Sequence, residues 1–281
     1  MSVATYAAAQ ILRVLPRVPI TRAVGRLADA SIPSSLSKLV VGLFTKAYDV
    51  NVEESVRPDG AFDSFDAFFT RALVPGARPE CPSPSAIVSP ADGRLDAAGD
   101  IAAHGEFFVK GRSYSAAELL GSDQEAARYR GGQFFIVYLS PRDYHRVHAP
   151  VGGTIRRVRS MPGDLFPVNS IGERHIRSLF SINRRVAIPI ESTEHGLVTV
   201  VMVGAMIVGR ITVTGIDERD VSVGTHTFDS PRSVARGDEI GVFHLGSTAV
   251  VFLEKPSPRL DAPFGSIRLG APLHSIDEAR P

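Results

Sequence analysis

Along the first 50 residues the apolar positions recur with a helical period, whereas from about residue 60 onward they fall into short runs broken by Gly, Pro, Asp and Asn. Leu36, Leu39, Val40, Leu43, Phe44 and Ala47 lie at i, i+3, i+4, i+7, i+8 and i+11, which predicts a helix with one apolar face and Ser35 as its N-cap. Ile20, Ala23, Val24 and Leu27 form a shorter stripe on a preceding helix, with Arg22 and Arg26 elsewhere on its surface. Pro16, Pro19 and Pro33 punctuate this region into two or three short helices. Such a stripe ordinarily faces the core of its own domain, and an apolar face beside basic residues also suits a membrane interface.

Beyond residue 60 the runs predict strands over 133–139, 185–190, 197–208, 210–214 and 241–254, with short helices over 64–73, capped by Asp63, and over 116–120. The fold class expected is α+β: a β-rich core spanning 51–281, preceded by short amphipathic helices within 1–50. There is no internal repeat and no low-complexity linker.

Composition narrows the function classes. The chain has 281 residues, 44% of them apolar, enough for a sizeable core. With 31 basic and 30 acidic side chains, it lacks the basic excess of a general nucleic-acid binder, and no nucleic-acid partner is expected. The charge is uneven, however: residues 1–50 carry Arg13, Arg17, Arg22, Arg26, Lys38 and Lys46 against Asp29 and Asp49, a net of +4 that leaves −3 for the remainder. One cysteine, Cys81, excludes an internal disulfide and a cysteine-based zinc site. No apolar run approaches the roughly 18 residues of a membrane span. Arg13 and Arg17 interrupt the N-terminal apolar run, which therefore does not read as a secretory signal.

The residues that could carry chemistry are few. Gly246-Ser247 interrupts the apolar run 241–254 with a flexible residue and a hydroxyl. It reads either as a bulge or turn, or as a place where Ser247 attacks the Gly246 carbonyl and converts the peptide bond to an ester. Asp92 sits in a Ser-Pro-Ala-Asp-Gly turn, which by itself needs no function. His145 and His148 lie three apart between Pro141 and Pro150; they could be ordinary loop residues, and a metal site is disfavoured without cysteines or a regular helix. Together, an acid, an imidazole and a serine make a general-base relay. Ser247 lacks the Gly-x-Ser-x-Gly elbow of a hydrolase, and a preceding glycine in a predicted strand favours attack on its own chain.

Six ordered motifs carry a resemblance over most of residues 60–255: Ser89-Pro-Ala-Asp-Gly93, Lys110-Gly-Arg-Ser-Tyr-Ser115, the block from Tyr138 to Pro150, Pro162-Gly-Asp-Leu-Phe-Pro-Val-Asn169, Val203-Gly-Ala-Met-Ile-Val-Gly209 and Leu245-Gly-Ser-Thr248. In these the chain resembles the phosphatidylserine decarboxylases, pyruvoyl enzymes that make phosphatidylethanolamine and CO2. The resemblance implies that Asp92, His148 and Ser247 form the self-processing relay. Cleavage between Gly246 and Ser247 would give a β chain 1–246 and an α chain 247–281 that remain associated. Ser247 would become the covalent pyruvoyl cofactor that forms a Schiff base with the substrate, and no metal is implied. His145 would serve decarboxylation or substrate positioning, with Arg184 and Arg185 as candidates for the lipid phosphate. The implied partners are phosphatidylserine and an anionic membrane surface, met peripherally on the cytoplasmic side of the cell membrane; a homo-oligomer is compatible with the pattern. Rival readings are a pyruvoyl decarboxylase of a soluble amino acid, a non-catalytic β-rich module and a serine hydrolase.

Overall fold

The computed structural model of the chain describes residue 10, residues 15–207 and residues 209–276. The helix expected before Pro16, with Arg13, lies outside them. Strand outweighs helix, the two longest helices lie at the front and four short ones fall between residues 116 and 182, so the α+β expectation holds.

Three helices open the described chain: α1 (Arg17–Asp29), α2 (Ser34–Tyr48) and α3 (Phe65–Phe69). Strands β1 (Gly93–Asp100), β2 (Glu106–Val109) and β3 (Arg112–Ser115) lead to helices α4 (Ala116–Leu120) and α5 (Asp123–Arg128). Strands β4 (Gln133–Leu139), β5 (Arg146–His148) and β6 (Gly153–Met161) follow, then the short helices α6 (Ser170–His175) and α7 (Leu179–Ile182). The chain ends in β7 (Arg185–Ser192), β8 (Gly196–Val203), β9 (Arg210–Val213), β10 (Gly224–Val234), β11 (Glu239–His244), β12 (Ser247–Leu253) and β13 (Gly265–Ile267).

Eight strands form one antiparallel sheet in the order β10-β6-β7-β8-β12-β4-β1-β13, and β5-β11-β9 form a second. Strands β4, β8 and β12 lie side by side in the middle of the large sheet, and every residue of β12 is buried. That explains their near-continuous apolar sequences, since a strand covered on both faces has no use for polar alternation. Burying Val250, Val251, Phe252 and Leu253 of β12 contributes on the order of 10 kcal/mol before chain entropy is counted.

Sequence and structure part in several places; the strand expected over 197–208, for one, ends at Val203. The run 241–254 is two strands in two different sheets, broken at Leu245 and Gly246, which both take left-handed backbone angles (φ 85° and 60°). The helix over 64–73 shrinks to Phe65–Phe69, and Ser64, not Asp63, caps it by accepting the Ala67 N–H at 3.1 Å. Helix α2 starts at Ser34 behind Pro33 with no side-chain cap, so Ser35 has no capping role.

The N-terminal helices also pack differently from their sequence pattern. Helix α1 buries Arg17, Thr21, Gly25 and Ala28, whereas Leu27 from its apolar stripe is 74% exposed. Tertiary contacts decide this: Arg17 grips both oxygens of Asp164 (2.8 and 2.6 Å) and lies over the Phe166 ring, while the Thr21 hydroxyl accepts the Ile207 N–H at 3.0 Å. A side chain at Gly209 would come within 2.7 Å of the Thr21 methyl, so this close approach requires glycine there. In α2 the only fully buried residue is Ser37, and Leu36, Leu39 and Leu43 face outward. Only Phe44 turns firmly inward, edge-on to Phe65, Phe68 and Phe69.

Candidate active site

The topology gathers the expected residues at one end of the large sheet. Ser247 opens β12 opposite Leu139, the last residue of β4, and Asp92 immediately precedes β1 on the far side of β4. Two strand spacings, roughly 10 Å, therefore separate their strands. Gly93 permits this packing: a Cβ there would lie 2.3 Å from the Tyr138 carbonyl oxygen. After β4 the chain turns through Pro141 to Asp143 and enters β5, whose His148 N–H donates to the Pro90 carbonyl of the Asp92 turn at 2.8 Å.

Each side chain is held by other neighbours than those a finished relay would show. The Asp92 carboxylate takes a bidentate pair of bonds from Arg78, at 2.9 Å from Nε and 2.5 Å from Nη2, and the Leu269 N–H at 2.8 Å. Arg78 also reaches Glu54 at 2.8 Å, and these bonds hold its guanidinium more strongly protonated than usual. His148 donates from Nδ1 to the Gly237 carbonyl at 2.7 Å, which fixes its tautomer, and Nε2 accepts from the Tyr144 hydroxyl at 3.1 Å. Burial lowers the pKa of His148; the Gly237 bond, Glu239 and Asp92 oppose that fall. Asp92 thus acts on His148 through space, and no hydrogen bond joins Asp92, His148 and Ser247 among the described residues. The Ser247 hydroxyl donates to the Val203 carbonyl on β8.

His145 is fully buried, its ring 4.1 Å from that of Phe69. Nδ1 donates to the Asp143 carbonyl at 2.8 Å, which leaves Nε2 as a bare, buried acceptor. Loss of hydration pushes its pKa down to about 3, so the ring is neutral at pH 7. Register distinguishes the two histidines: His148 pairs with Glu239 at the start of β11, whereas the His145 carbonyl accepts the Phe243 N–H near its end, next to the Gly246-Ser247 junction. One ring leans against Phe69 and the other bonds Tyr144, and no group of three or more potential metal ligands exists among the described residues.

The junction is strained and poorly screened from an apolar space. A left-handed leucine costs on the order of 1–2 kcal/mol, and it persists because the sheets on either side fix the connector. Leu245 and Gly246 form part of the wall of a cavity of about 790 Å³. The rest of that wall is apolar, drawn from α1, α2 and α3 through Val24, Val40, Phe44 and Phe69, together with Met206 and Ile207. Two buried polar atoms near the junction, His145 Nε2 and Thr248 Oγ1, have no hydrogen-bond partner among the described residues. A serine behind glycine in a strained connector, with spare hydrogen-bonding capacity beside it, fits a group made from Ser247.

Arg184 and Arg185 do not face this cavity's polar atoms. Arg184 is engaged by Asp220 and by the carbonyls of Gly209 and Val221; Arg185 is buried against the carbonyls of Leu119, Glu118 and Asn183. Their hydrogen bonds are internal to the fold. Conversely, Arg78, Tyr144 and Phe69 stand next to the expected site residues without any sequence signal beyond Tyr144's place in the 138–150 block.

Comparison with known proteins agrees with this picture. The family model described as phosphatidylserine decarboxylase matches residues 65–272. A protein of Marinobacter nauticus named phosphatidylserine decarboxylase proenzyme is 41% identical over 86% of this chain and 87% of its own. Proteins of the same name from Pseudomonas aeruginosa (43% identical, 84% of each chain) and Anaeromyxobacter sp. strain K (36% identical, 93% of this chain and 95% of its own) are similar throughout.

Proposed function

Because the chain belongs to the phosphatidylserine decarboxylase family, it is a decarboxylase, and we propose that it converts phosphatidylserine to phosphatidylethanolamine and CO2 with a pyruvoyl group generated from its own Ser247. The observation that carries this is the junction itself: a serine whose preceding two residues are left-handed, opening onto an apolar cavity.

Self-cleavage needs only groups of this chain. Ser247 Oγ leaves the Val203 carbonyl and attacks the Gly246 carbonyl carbon; its proton passes to His148 and on to the departing nitrogen as the Gly246–Ser247 C–N bond breaks, leaving an ester and the free amine of residue 247. Asp92, lying within electrostatic reach, favours the imidazolium so formed. The Gly237 carbonyl keeps Nδ1 protonated so that Nε2 is the proton acceptor, once the Tyr144 hydroxyl gives way. Loss of the Cα proton of residue 247 then expels the Gly246 carboxylate, and water replaces the nitrogen of the resulting dehydroalanine, which departs as ammonia. The ketone that remains supplies an electron sink in conjugation with the bond that breaks.

His145 is the candidate to hold the substrate carboxylate or reprotonate the product carbon, since its Nε2 is free and its ring packs against Phe69, which lines the cavity. That same free nitrogen, on the histidine nearer the junction along β11, favours a second reading in which His145 is the base for cleavage. The short fragment would stay bound after cleavage, supported by β12 lying between β8 and β4 and by β13 pairing with β1.

The cavity and the outward leucines of α1 and α2 support a lipid substrate reached from a membrane surface. Arg22, Arg26, Lys38 and Lys46 are exposed on the same helices and complement anionic headgroups, as expected for a peripheral protein of the cytoplasmic face. No helix of the described residues is long and apolar enough to cross a membrane.

Histidine variants separate the roles. With the base at His148, His148→Ala accumulates an unbroken chain, whereas His145→Ala is cleaved but turns over phosphatidylserine vesicles poorly. The opposite pattern moves the base to His145. Cleavage and full turnover by Ser247→Ala would refute the scheme altogether.

A further inference from the structure

Two residues before the scissile bond, His244 closes β11 with both ring nitrogens engaged and only 8% exposure. Nδ1 donates to the carboxylate of Asp66 (2.9 and 3.0 Å), and Nε2 lies 2.7 Å from Thr212 Oγ1 on the neighbouring strand β9. Asp66 is 178 positions away in sequence, on helix α3, and it is itself buried. Its oxygens also accept from Arg210, the cross-strand partner of His244, and from Arg219. Both arginines reach on to Asp29 at the end of α1. A cluster of two acids, two arginines and one imidazole therefore ties the N-terminal helices to the last residue before the Leu245-Gly246 connector.

Strand ladders alone do not require this arrangement. On the Ser247 side the connector is anchored by β12, paired on both edges in the middle of the large sheet. On the His244 side the ladder ends at the pair His244 and Arg210, and the ring is held by Thr212 of β9 and by a helix outside the sheet. Leu245 holds its left-handed angle at a cost that glycine at 246 does not incur, so the fixed ends of the connector must supply it. Helix α3 also contributes Phe65 and Phe69 to the cavity wall that Leu245 and Gly246 share, so the same element forms the lipid-facing space and holds the connector.

We infer that Asp66 and His244 form a positioning pair for self-cleavage, through which the docked N-terminal helices set the backbone of the scissile connector. The inference rests on the self-cleavage reading and adds to it a dependence on the helices. Neither residue touches the reacting atoms. The pair acts by holding the Gly246 carbonyl where Ser247 can reach it.

The test follows appearance of the 247–281 fragment after cell-free synthesis of the full chain, with turnover on phosphatidylserine vesicles measured per mole of fragment. Releasing the connector's strain support should slow cleavage by His244→Leu about tenfold or more. His244→Asn, whose amide can still donate to Asp66, should recover most of the rate, and turnover per cleaved molecule should stay within about twofold of normal for both variants. Asp66→Ala combined with His244→Leu should be no slower than the slower single variant, because one interaction is lost only once. Cleavage of His244→Leu at the normal rate, no recovery in His244→Asn, or multiplying effects in the double variant would each overturn the pair. Should His244→Leu fail to fold, Thr212→Val, which removes the contact to Nε2 together with the hydroxyl's bond to the Arg219 carbonyl, decides: slowing of about threefold or more supports the pair and a normal rate overturns it. A natural-sequence chain that never cleaves would instead refute the self-cleavage reading on which the inference stands.

Discussion

Replacing Leu27, Leu39 and Leu43 by serine together should detach the protein from lipid. These side chains are 74%, 57% and 61% exposed, so the surface they offer to a bilayer equals about two fully buried leucines, or about 3–6 kcal/mol. Interfacial insertion leaves part of each side chain among headgroups, and about half of that figure survives. The expected loss is therefore about 2–3 kcal/mol, close to a hundredfold weaker partitioning. Sedimentation with anionic vesicles measures it directly; because Leu27 and Leu43 also line the cavity, the control for chemistry is Leu39→Ser alone, which should decarboxylate a short-chain, dispersed phosphatidylserine at a near-normal rate. Because none of the three packs into the core, thermal stability should hardly change. Vesicle binding within about threefold of the unmodified protein would show that this face does not meet the membrane.

Other consequences follow from the buried groups. His145 titrates near 6.5 when unfolded and near 3 when folded, so the proton favours the unfolded chain: its contribution is intact above pH 6.5 and is lost as the pH falls toward 3. About 2 kcal/mol should disappear between pH 7 and pH 5 in urea unfolding of the uncleaved Ser247→Ala chain, and His145→Phe should flatten that slope; an unchanged slope would contradict the burial argument. Gly93→Ala places a methyl against the Tyr138 carbonyl, and a cost of about 3 kcal/mol should lower the melting temperature by about 6–12 °C. Asp92→Asn leaves the nearly buried Arg78 with Glu54 as its remaining acid, so calorimetry should show a loss of about 2 kcal/mol besides any loss of cleavage. A variant as stable as the original would mean that Asp92 is not structural.

Local pattern made much of the β-rich core legible. Residues 133–139 and 116–120 fold as the apolar pattern predicts, because central strands and a short capped helix are dictated by their own residues. The run 241–254 could not reveal its break, since periodicity carries no record of the backbone angles at Leu245. Nor could the stripe on α1 show that Arg17, Thr21 and Gly25 would be buried in place of Leu27: Asp164, Ile207 and Gly209, the partners that decide it, lie far along the chain. At the site, the motifs brought Asp92, both histidines and Ser247 into view. The groups that now hold them, Arg78, Gly237, Tyr144 and Val203, are set by topology, as is the pairing of Asp66 with His244.

The most direct measurement is intact mass spectrometry of freshly purified, active protein, followed by treatment of the short fragment with a carbonyl-reactive hydrazine. Two fragments, 1–246 and 247–281, should be found, the shorter one lacking a free N-terminal amine and gaining one hydrazone. Active material consisting only of an unbroken chain from Met1 to Pro281, or a short fragment that begins with an ordinary serine amine, would contradict the origin of the catalytic group in Ser247.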